Sequence, residues 1–119
     1  MAVLVSFDID GTLEAGDPPG PITMGMVRKA QDHGCIIGSS SDRPLPVQQS
    51  IWDRYRIEVS FISHKQDLPD VKLRFPAEEY YHIGDTEMDQ QLANEAGFQF
   101  IWMDAGITEP WIRNGTGQD

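Results

Sequence analysis

Short apolar runs alternate with amphipathic stretches along this chain, and glycine, proline or aspartate marks most of the joins. Val3–Phe7 (VLVSF) is short and mostly apolar, which predicts a buried strand. The next stretch, Glu14 to Ile22, carries three prolines and two glycines and reads as a loop. Thr23 is placed to cap a helix running to about His33, where Gly34 stops it. Cys35–Gly38 predicts a second buried strand, followed by Ser39 to Asp42. Pro44 and Pro46 bracket the start of a helix reaching about Tyr55, since proline is tolerated in a first turn. Val59–Ile62 predicts a third strand. From Ser63 to Glu79 the signals are mixed, and the segment reads as loop with room for one short helix. Tyr80–Ile83 predicts a fourth strand. Thr86–Ala96 predicts a helix with Met88, Leu92 and Ala96 on one stripe, closed by Gly97. Phe98–Trp102 predicts a fifth strand, Pro110 a short final helix, and the last residues a frayed tail.

Strands alternating with helices imply a parallel sheet covered on both faces: a three-layer α/β/α, Rossmann-like core of about five strands. At 119 residues the expectation is one domain spanning residues 1–119. In such sheets ligands bind beyond the carboxyl ends of the strands. Those ends collect Asp8 and Asp10, then Ser39 to Asp42, then His64 and Lys65, then Asp85 and Asp89. Surface acids scattered at random would not converge on one edge in this way.

Composition matters because it weakens any single carboxylate as evidence. Nine basic residues against nineteen acidic give a net charge of −10, a balance that repels phosphate backbones and anionic lipid. No apolar run approaches the roughly 20 residues of a membrane helix. The first residues read as a strand rather than a secretory leader. Cys35 is the sole cysteine, so no intrachain disulfide forms, which suits a cytoplasmic setting. Cys35 itself reads as a small buried side chain.

Asp8 and Asp10 could simply end a strand, since aspartate and glycine favour turns. The alternative is a cation site. Asp8, Asp85 and Asp89 together would crowd three negative charges into one pocket, and carboxylates with water suit Mg²⁺. Such a metal would draw in a phosphate. Ser41 or Ser39 could donate a hydrogen bond to a phosphate oxygen, and Lys65 would add a mobile positive charge. One aspartate could then attack phosphorus while the other handles the leaving-group proton.

The segments FDIDGTL, GSSSDRP and IGDTEMD together resemble the haloacid dehalogenase-like phosphohydrolases. Asp8 to Thr12 reproduces that family's D-x-D-G-T motif and Gly84 to Asp89 its G-D-x-x-x-D motif. The resemblance implies Asp8 as nucleophile and Asp10 as general acid/base. It implies Mg²⁺ on Asp8, the backbone carbonyl of Asp10, and Asp85, with Asp89 a ligand directly or through water. Aligning SDRP on the family's common TGRP selects Ser41 for the phosphate, with Ser39 as fallback; Gly11 and Thr12 join that phosphate-binding set. Lys65, directly after the third strand, is preferred to Lys72 as the basic residue. Glu14–Ile22 and Asp42–Lys65 are too short for the cap domain many members carry, so the resemblance is to a capless member. Capless members act on large substrates or borrow a lid from a neighbouring subunit.

The expected activity is therefore Mg²⁺-dependent hydrolysis of a small phosphorylated metabolite, without nucleic acid or membrane partners and with room for a homo-oligomer supplying a lid. Two alternatives stand beside it: a Mg²⁺-binding, receiver-like regulatory module without turnover, and a phosphatase of a macromolecule such as a phosphoprotein. His33, His64 and His82 lack the spacing of a shared metal site. His33 reads as a helix-end residue, and His64 as a surface residue beside the lysine. Trp52, Trp102 and Trp111 read as packing. Arg43 reaches either the phosphate pocket or a neighbouring acid such as Asp42.

Overall fold

Alternation along the central strand sorts its side chains onto two faces. In β1 (Val3–Phe7), Val5 and Phe7 join one apolar cluster and Leu4 joins the other. The structure, a computed structural model, describes residues 2–106. β1, β2 (Ile36–Ser40), β3 (Phe61–Ser63), β4 (Glu79–Gly84) and β5 (Gln99–Trp102) make a five-stranded sheet in the order β3-β2-β1-β4-β5. Every pairing is parallel.

On one face lie α1 (Met24–Asp32) and α2 (Leu45–Arg54). They bury Met24, Val27 and Ala30, then Ile51 and Trp52, against Val5, Phe7, Ile37 and Ile83. The Thr23 hydroxyl accepts the Met26 amide at 3.1 Å and so starts α1. On the other face lie α3 (Leu68–Arg74) and α4 (Glu87–Ala96), which bury Leu68, Val71 and Ala93 with Leu4, Phe61 and Phe98. The result is an α/β/α sandwich, as the alternation of elements predicts. Between β1 and α1 the chain folds back on the core, burying Ile9, Leu13 and Ile22. Among the described residues no helix is long and apolar enough to cross a membrane.

Several local expectations change. β2 runs to Ser40, so Ser39 lies within the strand rather than beyond it. The mixed stretch after β3 holds a 3-10 turn at Lys65–Asp67 and then α3, which Pro69 opens. In α4 the inward positions are Asp89 and Ala93, whereas Met88 is 54% exposed. The stripe is rotated by one residue because the helix is anchored by the Asp89 carboxylate, which an apolar pattern does not register. A short helix, α5 (Met103–Gly106), follows β5 directly. The helix predicted from Pro110, the tail and Trp111 lie outside the described residues.

Candidate functional site

The chain order reverses at β1, whose neighbours are β2 on one side and β4 on the other. That arrangement opens a crevice at the carboxyl ends of the central strands. A cavity of about 210 Å³ lies there, and Asp8, Asp10, Ser41, Lys65 and Asp85 all line it. Loops after β1, β2, β3 and β4 thus deliver one polar side chain or more each, as the strand-end clustering predicts.

Asp8 is held from several sides. Its backbone amide donates to the Ile83 carbonyl at 2.9 Å, which fixes β1 against β4 at the rim. The Thr12 hydroxyl lies 3.4 Å from Oδ2 and the Lys65 Nζ 3.5 Å from Oδ1. Asp8 is only 3% exposed. Burial pushes its carboxyl up to about 8, and the charge of Asp89 and a shared hydrogen bond with Asp85 add to the rise against the pull of Lys65. Two glycines make this crowding possible. Gly11 sits at φ +76°, and a Cβ there would come within 1.9 Å of Asp85 Oδ2. A Cβ on Gly84 would meet Asp89 Cγ at 2.4 Å.

Asp89 lies beneath the cavity, fully buried. The amide and hydroxyl of Thr86 donate to its Oδ2 at 3.2 and 2.7 Å, and the Asp89 amide donates back to the hydroxyl at 3.2 Å. This reciprocal capping box is what starts α4. The other oxygen, Oδ1, lies 2.9 Å from His82 Nε2 and 3.2 Å from Lys65 Nζ. Burial alone would raise this carboxyl; the hydrogen bonds from His82 and Thr86 and the charge of Lys65 overcome it and bring Asp89 down to about 2. Burial likewise works against the Lys65 ammonium, but Asp8 and Asp89 outweigh it and hold its pKa above the ordinary value. Lys65 is 6% exposed and also approaches Asp42 at 3.8 Å.

One carboxylate oxygen from each of Asp8, Asp85 and Asp89 lies within 4.8 Å of the others. The three could hold a metal ion, and an all-oxygen set suits a hard cation. Asp8 and Asp85 line the same cavity with carboxylate oxygens within that distance of each other, an arrangement that favours a cation between them. Asp89 has both oxygens already engaged, so its bond to a metal would be shared with Lys65 and His82.

Asp10 reaches the cavity with its carboxylate turned toward Arg43. The guanidinium donates from Nε at 2.9 Å and from Nη2 at 2.7 Å, and the Asp17 amide donates at 2.8 Å. The Arg43 bond, chiefly, holds this carboxyl below its ordinary value. Arg43 therefore pairs with Asp10 rather than with Asp42. Ser41 is buried at the cavity wall, its hydroxyl accepting the Arg43 amide at 3.2 Å.

Three residues expected on the phosphate sit elsewhere. Ser39 points to the opposite face of the sheet, donating to Gln48 Oε1 at 2.7 Å and accepting Trp52 Nε1 at 3.0 Å. The Gly11 amide is committed to the Pro18 carbonyl at 2.7 Å and the Thr12 amide to Ile9 at 3.2 Å, within the loop itself. Thr12 spends its hydroxyl on Asp8, so both residues shape the carboxylate cluster instead of the cavity wall. Lys72, the alternative base, donates to Gly97 O at 3.4 Å and lies over the Tyr80 ring, at the far end of β4. His64 stays at the surface beside Asp67, and Cys35 is buried, its thiol pushed up to about 11 by that burial. The site residues that sequence reasoning missed are Thr86, Arg43 as the partner of Asp10, and His82. For His82 a signal existed: it is the one imidazole inside the run YYHIG, three residues before Asp85. Comparisons with family models, curated proteins and solved structures give no match.

Proposed function

We propose that this protein is a Mg²⁺-dependent phosphomonoester hydrolase of the haloacid dehalogenase type, working through an aspartyl-phosphate on Asp8. The observation that carries the reading is the buried Asp8 carboxylate, with the Lys65 ammonium 3.5 Å away and Asp85 opposite, on the floor of an open cavity. Asp8 and Asp85, with Asp89 behind them, would hold the ion. When bound, Mg²⁺ would supply positive charge that ionises Asp8 and offsets the phosphate's own charge.

The chain's own residues divide the remaining work. Ser41, held by the Arg43 amide, donates its hydroxyl to one phosphate oxygen, and Lys65 offers its ammonium to another. An Asp8 oxygen forms the new bond to phosphorus as the bond to the leaving oxygen breaks. Asp10 gives that oxygen a proton, then takes one from the water that releases inorganic phosphate from Asp8. Arg43 must turn aside for Asp10 to carry that proton, because the pair holds Asp10 ionised. The test is hydrolysis of p-nitrophenyl phosphate, which should require Mg²⁺ and vanish in Asp8→Asn. Activity in that variant equal to wild type would remove Asp8 as the nucleophile.

A second reading rests on the Asp10–Arg43 pair itself. If Arg43 never leaves, the site binds cation and phosphoryl group without turnover, as a regulatory module would. Labelling by acetyl phosphate that persists, with no phosphate released, selects that reading.

A further inference from the structure

His82 is a fully buried imidazole with both nitrogens engaged: Nε2 lies 2.9 Å from Asp89 Oδ1 and Nδ1 3.0 Å from Ser6 Oγ. The second contact begins a chain of buried hydroxyls across the sheet. Ser6 donates to Ser40 at 2.8 Å, Ser40 meets Ser63 at 2.8 Å, and Ser63 donates to the His64 carbonyl at 3.2 Å. Register explains the geometry, because Ser6 and His82 are direct partners across β1 and β4, and Ser40 and Ser63 across β2 and β3. An apolar residue would fill each of these positions at less cost in desolvation. The chain ends at the residue just before Lys65, so it ties both ends of one ion pair to the same polar line.

We infer that His82 is a positioning residue for Lys65, acting through Asp89. Asp89 Oδ1 is the nearer carboxylate oxygen to the ammonium, 3.2 Å against 3.5 Å for Asp8. His82 fixes that oxygen from behind while Thr86 fixes the other. Lys65 is thereby held at one point between Asp89 and Asp8, on a stem that would otherwise sample many rotamers. The catalytic consequence rests on the phosphatase reading above; the positioning itself does not.

The experiment compares His82→Gln with His82→Asn, both polar and both compatible with a buried site. A glutamine amide reaches the position of Nε2 and can still donate to Asp89; an asparagine amide reaches only Ser6. NMR of lysine side-chain ammonium groups in the metal-free protein reports the geometry directly. Lys65 should give a slowly exchanging signal, assigned by its loss in Lys65→Met, while Lys29 and Lys72 exchange fast. The signal should survive His82→Gln and disappear in His82→Asn. Under the phosphatase reading kcat for p-nitrophenyl phosphate falls about 10–100-fold in His82→Asn and recovers in His82→Gln. A Lys65 signal retained in folded His82→Asn, or missing from the wild-type protein, overturns the inference. A wild-type chain inert toward the ester overturns the phosphatase reading alone, since the NMR comparison still decides the role of His82.

Discussion

Replacing Asp8 by asparagine should stabilise the metal-free protein, and by more as pH rises. The Asp8 carboxyl sits at about 8 in the folded chain against an ordinary value of 3.8, so folding binds its proton more tightly. Stability from that group is full below the unfolded value and is lost as pH climbs toward the folded one. Each unit of pH across that window removes about 1.4 kcal/mol, a total of roughly 4 kcal/mol by neutral pH. Relaxation around Lys65 and water entry would reduce this, and even half of it, about 2 kcal/mol, is a large share of a small domain's stability. Asparagine has nearly the same shape and no proton to lose, so it avoids the penalty. For a chain of this size the difference amounts to a melting temperature higher by about 4 °C for each kcal/mol. Thermal melts in a chelator at several values from about pH 5 to pH 8 read the effect. Saturating Mg²⁺ should reverse the order, since the wild-type carboxylate then gains a cation that asparagine binds less well. A difference in melting temperature that stays flat across that range in chelator would refute the reasoning, because it would mean that Asp8 is ionised throughout.

Three further outcomes follow from the geometry. Gly11→Ala combines a left-handed backbone with a Cβ placed 1.9 Å from Asp85 Oδ2; it should cost more than about 1 kcal/mol in urea unfolding and abolish most of the Mg²⁺-dependent rise in melting temperature. Ser39→Ala, which deprives Gln48 and Trp52 of a buried partner, should lose about 1–3 kcal/mol of stability; under the phosphatase reading it should keep Mg²⁺-dependent hydrolysis, whereas Ser41→Ala should do the reverse, and equal loss of kcat/KM in both would put Ser39 back on the phosphate. Arg43→Gln removes the main group holding Asp10 low, so under the phosphatase reading the limb of the kcat/KM profile assigned to Asp10 should move to higher pH, and a limb that does not move would assign it to another group.

The fold was legible because its signals are local and redundant. Most strands announce themselves as apolar runs, α1 and α4 by the capping residues Thr23 and Thr86 and α2 by the prolines that bracket its start, and their alternation leaves a parallel sheet as the natural packing. α3, which has no side-chain cap, lies within the stretch of mixed signals. The approximate site was legible for the same reason, since strand ends in such a sheet share an edge. What the sequence could not convey is which way a side chain faces when a strand runs longer than expected. One more residue pair in β2 puts Ser39 under α2 and Ser40 on the other face. Pairing among charges was equally hidden: Arg43 has Asp42 beside it in sequence but meets Asp10 in space. His82 hides its role in the sequence because the spacing of the three histidines excludes a shared metal site and says nothing of a carboxylate partner. Its partner is the carboxylate that also governs the orientation of α4, and only the parallel register of β1 and β4 brings Ser6 beside it.

The central place of β1 has a kinetic side. β1 pairs with β2 across a modest stretch of chain, but its other edge waits for β4, where Val3 meets Glu79 and Phe7 meets Ile83. On a ribosome the β3-β2-β1 half can form first and then carries β1 as a bare, apolar edge until β4 emerges. That contact closes a longer loop than the β1–β2 pairing does, so topology favours its forming later. It is also the step that brings Asp85 and Asp89 up to Asp8. The mutual repulsion of these carboxylates is therefore met late, when the rest of the sheet is already in place to hold them, and a nascent chain must keep a sticky edge unpaired until then.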